Sequence, residues 1–274
     1  MRFVLLACAL TLATPLPEDK WFLPAVYIGL DRNPQLNADW GSQVGQDRTL
    51  ADIFEGKEHG YFLDIGAGNG VEYSNTLVLE RENGWHGLCV DANAAHMRSF
   101  YGRGCKFIQA VLGPSDDEEV VFQPSPCTHN PQCSFLGGVV GPNFDNKLET
   151  AERVVRASTV AITSLFRDFD VPSVVDYMSL DIEGAEGWVF GSFPWDEYTF
   201  LVMTVERPKE DLVQTLLAHG YSYVMDHGGF GDEMWIHSSL ENYEYVMETY
   251  GTTKPGRTKP RASKKRKNKR GGKK

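Results

Sequence analysis

The ten residues Tyr61–Gly70, YFLDIGAGNG, restrict this chain more than any other stretch. An apolar run, Tyr61-Phe62-Leu63, enters Asp64 and Ile65 and then breaks into glycines at alternate positions, Gly66, Gly68 and Gly70. This pattern predicts a buried strand, a tight turn and a following helix. Glycines in such a turn let backbone N–H groups approach a ligand with no Cβ in the way. In an open α/β sheet, the carboxyl end of the first strand is where nucleotide-like groups sit.

The spacing is G-x-G-x-G, because Val71 stands where a dinucleotide fingerprint needs a final Gly or Ala. With Asp64 two residues ahead of the first glycine, the turn suits S-adenosylmethionine better than NAD. Ser74 follows, to touch the cofactor carboxylate or to cap the next helix, which Asn83-Gly84 ends. A second buried strand, Gly87–Asp91, closes in an acid about 20 residues after the turn, placed to accept hydrogen bonds from ribose hydroxyls.

Further along, a short helix is expected over Ala94–Tyr101 and a third strand over Lys106–Leu112. Glu119–Gln123 and Arg153–Val160 read as further strands, Val174–Leu180 and Tyr198–Val205 as buried ones. Between Pro124 and Asn146 lies a run of Pro, Gly, Asn, Cys and Ser without periodicity, as in a lid, a binding loop or a disordered segment. The helix with Leu212, Val213, Leu216 and Leu217 on one face stops at Gly220. Strands Tyr221–Met225 and Met234–His237 follow, joined by a glycine-rich loop over Asp226–Asp232. The alternation predicts an α/β fold, a Rossmann-like doubly wound seven-stranded sheet with a terminal β-hairpin. Asp64, Asp91, Asp181 and Glu206 then share the edge formed by the strand carboxyl ends.

The charge is unevenly spread. Lys254–Lys274 holds twelve Lys or Arg and no acid, which leaves the other residues with 15 bases against 37 acids, a net −22. Such a body does not attract nucleic acid by itself, whereas the tail has the charge to hold a polyanion. At the other end, Phe3–Leu12 is an apolar run after one Arg, followed by small residues, Pro and acid, as in a secretory signal peptide; it is too short to span a membrane. Cys89, Cys105, Cys127 and Cys133 remain after Cys8, an even count that suits disulfides and equally free thiols. No Asn-x-Ser/Thr sequon occurs. Cys127, His129 and Cys133 lack a fourth ligand for zinc.

Taken in order, Ser42-Gln43-x-x-Gln46-Asp47, GYFLDIGAGNG, SNTLVLE, GWHGLCVDAN, SLDIEGAE and TVER resemble the FkbM-type methyltransferases from Gly41 to about Ser238. The resemblance implies a class I methyltransferase sheet and methyl transfer from S-adenosylmethionine to a hydroxyl of a sugar or natural product. It implies that Asp64, Gly66, Gly68 and Gly70 hold the methionine part of the cofactor and Asp91 the ribose. Two features depart from the family. Asp91-Ala92 stands where Glu-Pro is common, and the Pro124–Asn146 insertion has no counterpart.

The expected layout is a signal peptide over 1–17, an extension over 18–40, the methyltransferase domain over 41–250 and a structureless basic tail over 251–274. A hydroxyl acceptor must lose a proton, and the candidates to take it are Asp181, Glu183, Glu206 and His227. Three of these have a plainer reading. Asp181 caps the next helix, Glu206 pairs with Arg207, and His227 is a solvated loop histidine. Side chains alternate along a strand, so an extended Asp181-x-Glu183 sends both acids to one side. Oxygen-only ligands leave magnesium or calcium open as a second cofactor, with no ligand set assigned. Secretion calls for a Golgi, ER or extracellular address, with the tail holding an acidic polysaccharide; the tail alone would point to the nucleus. The rival to an enzyme is a catalytically silent relative that acts in binding or trafficking.

Overall fold

The computed structural model describes residues 4–5, 25–28, 40–124, 135–151 and 153–258. Its main sheet has nine strands, two more than the seven expected. In chain order they are β1 (Val4–Leu5), β2 (Ala25–Ile28), β3 (Tyr61–Ile65), β4 (His86–Asp91), β5 (Lys106–Gln109), β10 (Val174–Leu180), β11 (Thr199–Glu206), β12 (Tyr221–His227) and β13 (Asp232–His237). The spatial order is β1-β2-β5-β4-β3-β10-β11-β13-β12. Strands β5, β4, β3, β10 and β11 are parallel, and β13 runs antiparallel between β11 and β12.

The central strands read as unbroken apolar runs because helices cover both faces, so no face needs to be polar. On one face Leu63, Leu88, Ile108 and Met178 pack with Leu165 of α3 (Ile162–Asp168) and Leu212 and Leu216 of α5 (Glu210–Ala218). On the other, Phe62, Cys89, Phe107 and Tyr177 pack with Leu50 and Ile53 of α1 (Gln46–Ile53), Leu79 of α2 (Leu77–Asn83) and Val246 of α6 (Tyr243–Thr249). Gly84 ends α2 in the left-handed conformation, as Asn83-Gly84 predicts.

Several expectations are corrected. The third strand breaks at Ala110, because its pairing with β4 ends at Asp91↔Gln109. From there β6 (Val111–Gly113) pairs with β9 (Val155–Ala161) in a second sheet, ordered β6-β9-β7-β8 with β7 (Glu119–Gln123) and β8 (Gly138–Val139). Residues 94–102 form a 3-10 helix, with Asn93 Oδ1 accepting from Ala95 N. Residues 25–28, expected in a separate extension, lie in the main sheet as β2, antiparallel to β5. The expected signal segment contributes β1, whose pairing is limited to Val4↔Ala25 and Leu5↔Val26.

The tail expected to lack structure begins as a docked strap. Lys254 Nζ reaches Asp226 and Glu233 at 2.7 and 2.8 Å, and Arg257 Nε lies 2.8 Å from Glu233 Oε2. Glu233 is buried, so its charge needs these cations, a demand no local sequence pattern announces. Cys89 and Cys105 are disulfide-bonded with Cα atoms 6.2 Å apart, joining β4 to the start of β5. The rest of the signal segment, Cys127, His129, Cys133 and the tail after Thr258 lie outside the described residues. Among the described residues no helix is long and apolar enough to cross a membrane.

Candidate active site

The glycine turn needs its glycines for different reasons. Gly66, Gly68 and Gly70 all have positive φ, at 84°, 54° and 69°. A Cβ on Gly66 would lie 1.6 Å from the carbonyl oxygen of Asp181, so β3 and β10 approach too closely for any side chain. On Gly70 it would strike the Phe100 ring at 2.4 Å; Gly70 shapes the turn from behind and does not line the cavity. Gly66 and Ala67 N–H donate to Val90 O, while Gly68 N–H donates to Asp91 Oδ2 at 2.8 Å. Asp91 Oδ1 also accepts from Asn93 N at 2.7 Å, and His96 Nδ1 stands 3.2 Å away without hydrogen-bond alignment. Each of these carboxylate oxygens keeps a lone pair for a further donor.

Behind the turn lies an ion pair that sequence reading missed. Arg103 and Glu80 are fully buried, with Nε donating to Glu80 Oε2 at 3.1 Å. Arg103 also donates to Ser74 Oγ at 3.2 Å, to Thr76 Oγ1 at 3.0 Å and to the carbonyl of Gly70. Ser74 Oγ in turn accepts from Leu77 N at 3.1 Å, so its helix-capping reading holds while it also lines the cavity. Asp64 accepts from Thr76 Oγ1 at 2.6 Å. Burial raises the Asp64 carboxyl, opposed by the Thr76 bond and the Arg103 charge. The only sequence signal for Arg103 was a cation between Gly102 and Gly104.

A cavity of about 480 Å³ opens over this turn, within the range of small-ligand sites. It joins Asp64, Gly66, Gly68, Ser74 and Asp91 to Asp181, Glu183 and Glu206. The insertion supplies one wall through Phe135–Val139, and the small sheet adds Val111 and Phe122. The Phe135 ring stacks on His96 with centroids 5.6 Å apart and sits over Gly68.

At the far end four carboxyls converge. Asp181 is exposed, but into the cavity, with protein enclosing it on the other sides. That enclosure, then the neighbouring Glu206 carboxylate, push its carboxyl well above the ordinary range. Burial and Glu206 raise Glu183 to about 7, and burial and Glu206 raise Asp232 to about 6. Arg207 Nη2 reaches Glu206 at 2.8 Å, Glu183 at 3.2 Å and Asp145 of the insertion at 2.8 Å.

The segment after β10 is not extended as the D-x-E argument assumed. Glu183 has φ 56° and Gly184 φ 88°, and ion pairing with Arg207, itself at φ 41°, holds this costly backbone. Asp181 does not cap α4 (Glu186–Val189). Glu186 does the local work, its Oε1 accepting from Ile182 N and Gly184 N at 3.1 Å each.

His227 is a second correction. It ends β12 and is 3% exposed rather than solvated on a loop, and it does not line the cavity. Burial lowers its pKa. The strand runs farther than expected because β12 and β13 stay paired to His227↔Asp232. Oxygens of Asp145, Glu183 and Glu206 lie within 4.8 Å of one another, as for a divalent ion. Arg207 already supplies the positive charge at that focus, so this donor set does not fit a metal without displacing the guanidinium.

A parallel sheet with a cavity over its first glycine turn and acids at the neighbouring strand ends is the arrangement of a nucleotide-type ligand site in a doubly wound fold. The model of one family, Methyltransferase FkbM domain, matches residues 64–223, more than half of the sequence, and the chain belongs to that family. No curated protein matches the sequence. Among solved structures, the chain is similar to a precorrin-6y C5,15-methyltransferase from Geobacter metallireducens. The identity is 12%, over 76% of this chain and 95% of that one, with a TM-score of 0.36. An O-methyltransferase from Bacillus cereus in complex with SAH is 13% identical, over 73% and 83%, also at 0.36. At these scores neither likeness carries functional weight.

Proposed function

We propose that the protein is an S-adenosylmethionine-dependent O-methyltransferase acting on a sugar hydroxyl or a similar small acceptor. One observation carries this reading: a single cavity runs from the glycine turn and Asp91 to Asp181, Glu183 and Glu206. The cradle fits the cofactor, since Gly66 and Gly68 line the cavity without side chains and Asp91 retains acceptor capacity for ribose hydroxyls. Bound there, S-adenosylmethionine supplies an electrophilic methyl group on a sulfonium. Asp64 and Ser74 line the methionine side, and Phe135 covers the turn and excludes water. Asp181 takes the acceptor proton, its carboxyl made a stronger base by enclosure and by the neighbouring Glu206 carboxylate. A hydrogen bond with Glu206, itself paired with Arg207 at 2.8 Å, holds that carboxyl in place.

The expected experiment is transfer of a labelled methyl group to members of a sugar panel. Asp181→Asn should abolish transfer while leaving S-adenosylhomocysteine affinity and thermal stability nearly intact. Turnover surviving in that variant would refute the base assignment. The apolar Phe3–Leu12 run and the Cys89–Cys105 bond support a secretory address, where disulfides persist. A mature amino terminus between roughly residues 14 and 19 is expected by peptide sequencing of the cellular protein. An intact Met1 on a nuclear protein would contradict it.

A further inference from the structure

The acceptor end of the cavity has a charge that no ordinary neutral sugar requires. Asp181, Glu183, Glu206 and Asp232 line it together, and among the described residues no Lys, Arg or His lines the cavity. Arg207, outside the lining, neutralises one charge and is shared with Asp145 as well. Asp232 gives the clearest sign of a missing partner. It is 8% exposed and lines the cavity, and among the described residues its own backbone amide, but no side chain, donates to its carboxylate, with the Arg207 charge nearby. A buried carboxylate with one backbone donor and no direct ion pair is costly, and proteins keep one where a ligand completes it.

We propose that the acceptor is an amine-bearing polyol, such as an amino sugar, whose protonated amine is held between Asp232 and Glu206. This rests on the methyltransferase reading above and deepens it. An ammonium offers three donors to these oxygens and relieves the repulsion among the four carboxyls. The same site repels phosphate, sulfate and uronate, whose charges would meet carboxylates at close range. An N-acetylated sugar loses the cation and leaves Asp232 unpaired. A polyanion gathered by the basic tail would therefore be a docking partner outside the cavity, not the methylated group.

The test is calorimetric titration of the protein saturated with S-adenosylhomocysteine. The probes are glucosamine, galactosamine and mannosamine, each beside its N-acetyl derivative, its parent hexose and its uronic acid. The expected result is at least tenfold tighter binding of an amine than of its three analogues, lost in Asp232→Asn and in Glu206→Gln. Thermal midpoints of both variants check that they fold. Equal binding of a neutral or anionic analogue, or no binding by any amine to the S-adenosylhomocysteine complex, overturns the proposal. Failure of S-adenosylhomocysteine itself to bind would instead overturn the methyltransferase reading.

Discussion

Replacing Arg103 with Met should be among the most damaging single changes outside the cavity. The guanidinium is fully buried and serves four acceptors: Glu80, the Gly70 carbonyl, Ser74 and Thr76. Glu80 would keep only the amides of Gly104 at 2.7 Å and Cys105 at 3.1 Å. Breaking a buried pair by removing one partner costs about 3–5 kcal/mol, mostly from the charge left behind. At roughly 2–4 °C per kcal/mol for a domain of this size, a loss of about 4 kcal/mol lowers Tm by about 8–16 °C. Urea unfolding at constant slope measures the loss directly. Glu80→Leu combined with Arg103→Met should be far less damaging than the sum of the singles, because no uncompensated charge remains. A single-variant loss below about 1 kcal/mol, or a strictly additive double variant, would refute the claim that this pair braces the glycine turn.

Gly66→Ala should destabilise severely, since its Cβ would overlap the Asp181 carbonyl at 1.6 Å and a left-handed φ adds about 1–2 kcal/mol; near-native unfolding curves would count against it. Phe135→Ala should weaken S-adenosylhomocysteine binding about tenfold by uncovering Gly68, checked by titration, while an unchanged affinity would remove the ring from the cofactor wall. Burial raises Glu186 and Glu183 to about 7 and Asp232 to about 6, so the folded chain holds protons that the unfolded chain has released. Their stabilisation is full below the unfolded carboxylate range, near pH 4, and is lost as pH rises through about 7. Glu186→Gln keeps an acceptor for the Ile182 and Gly184 amides without the charge, so its Tm relative to wild type should improve from pH 5 to pH 8; a pH-independent difference would contradict this.

What the sequence disclosed followed from local rules. The glycine turn, the acid ending β4, the buried parallel strands and the stop at Gly84 each rest on neighbouring residues, and the structure has them where the pattern puts them. What it hid depends on distant partners. Arg103 means little until it is seen reaching 23 residues back to Glu80. Asp145 sits in an aperiodic stretch and joins the site through Arg207, across 62 positions. His227 and Lys254 were misjudged for the same reason: loop glycines and tail charge suggest solvent, while pairing with β13 and the buried Glu233 decide otherwise. The break at Ala110 turns on which strand offers a free edge, a property of the whole sheet.

Cofactor binding in the proposed enzyme depends on the cradle built by Gly66, Gly68 and Asp91. Titration calorimetry of the purified protein with S-adenosylhomocysteine tests it most directly. Saturable one-to-one binding is expected, weakened by about 1–3 kcal/mol in Asp91→Ala through lost hydrogen bonds. No heat of binding in the folded wild-type protein, or full affinity retained by Asp91→Ala, would contradict it.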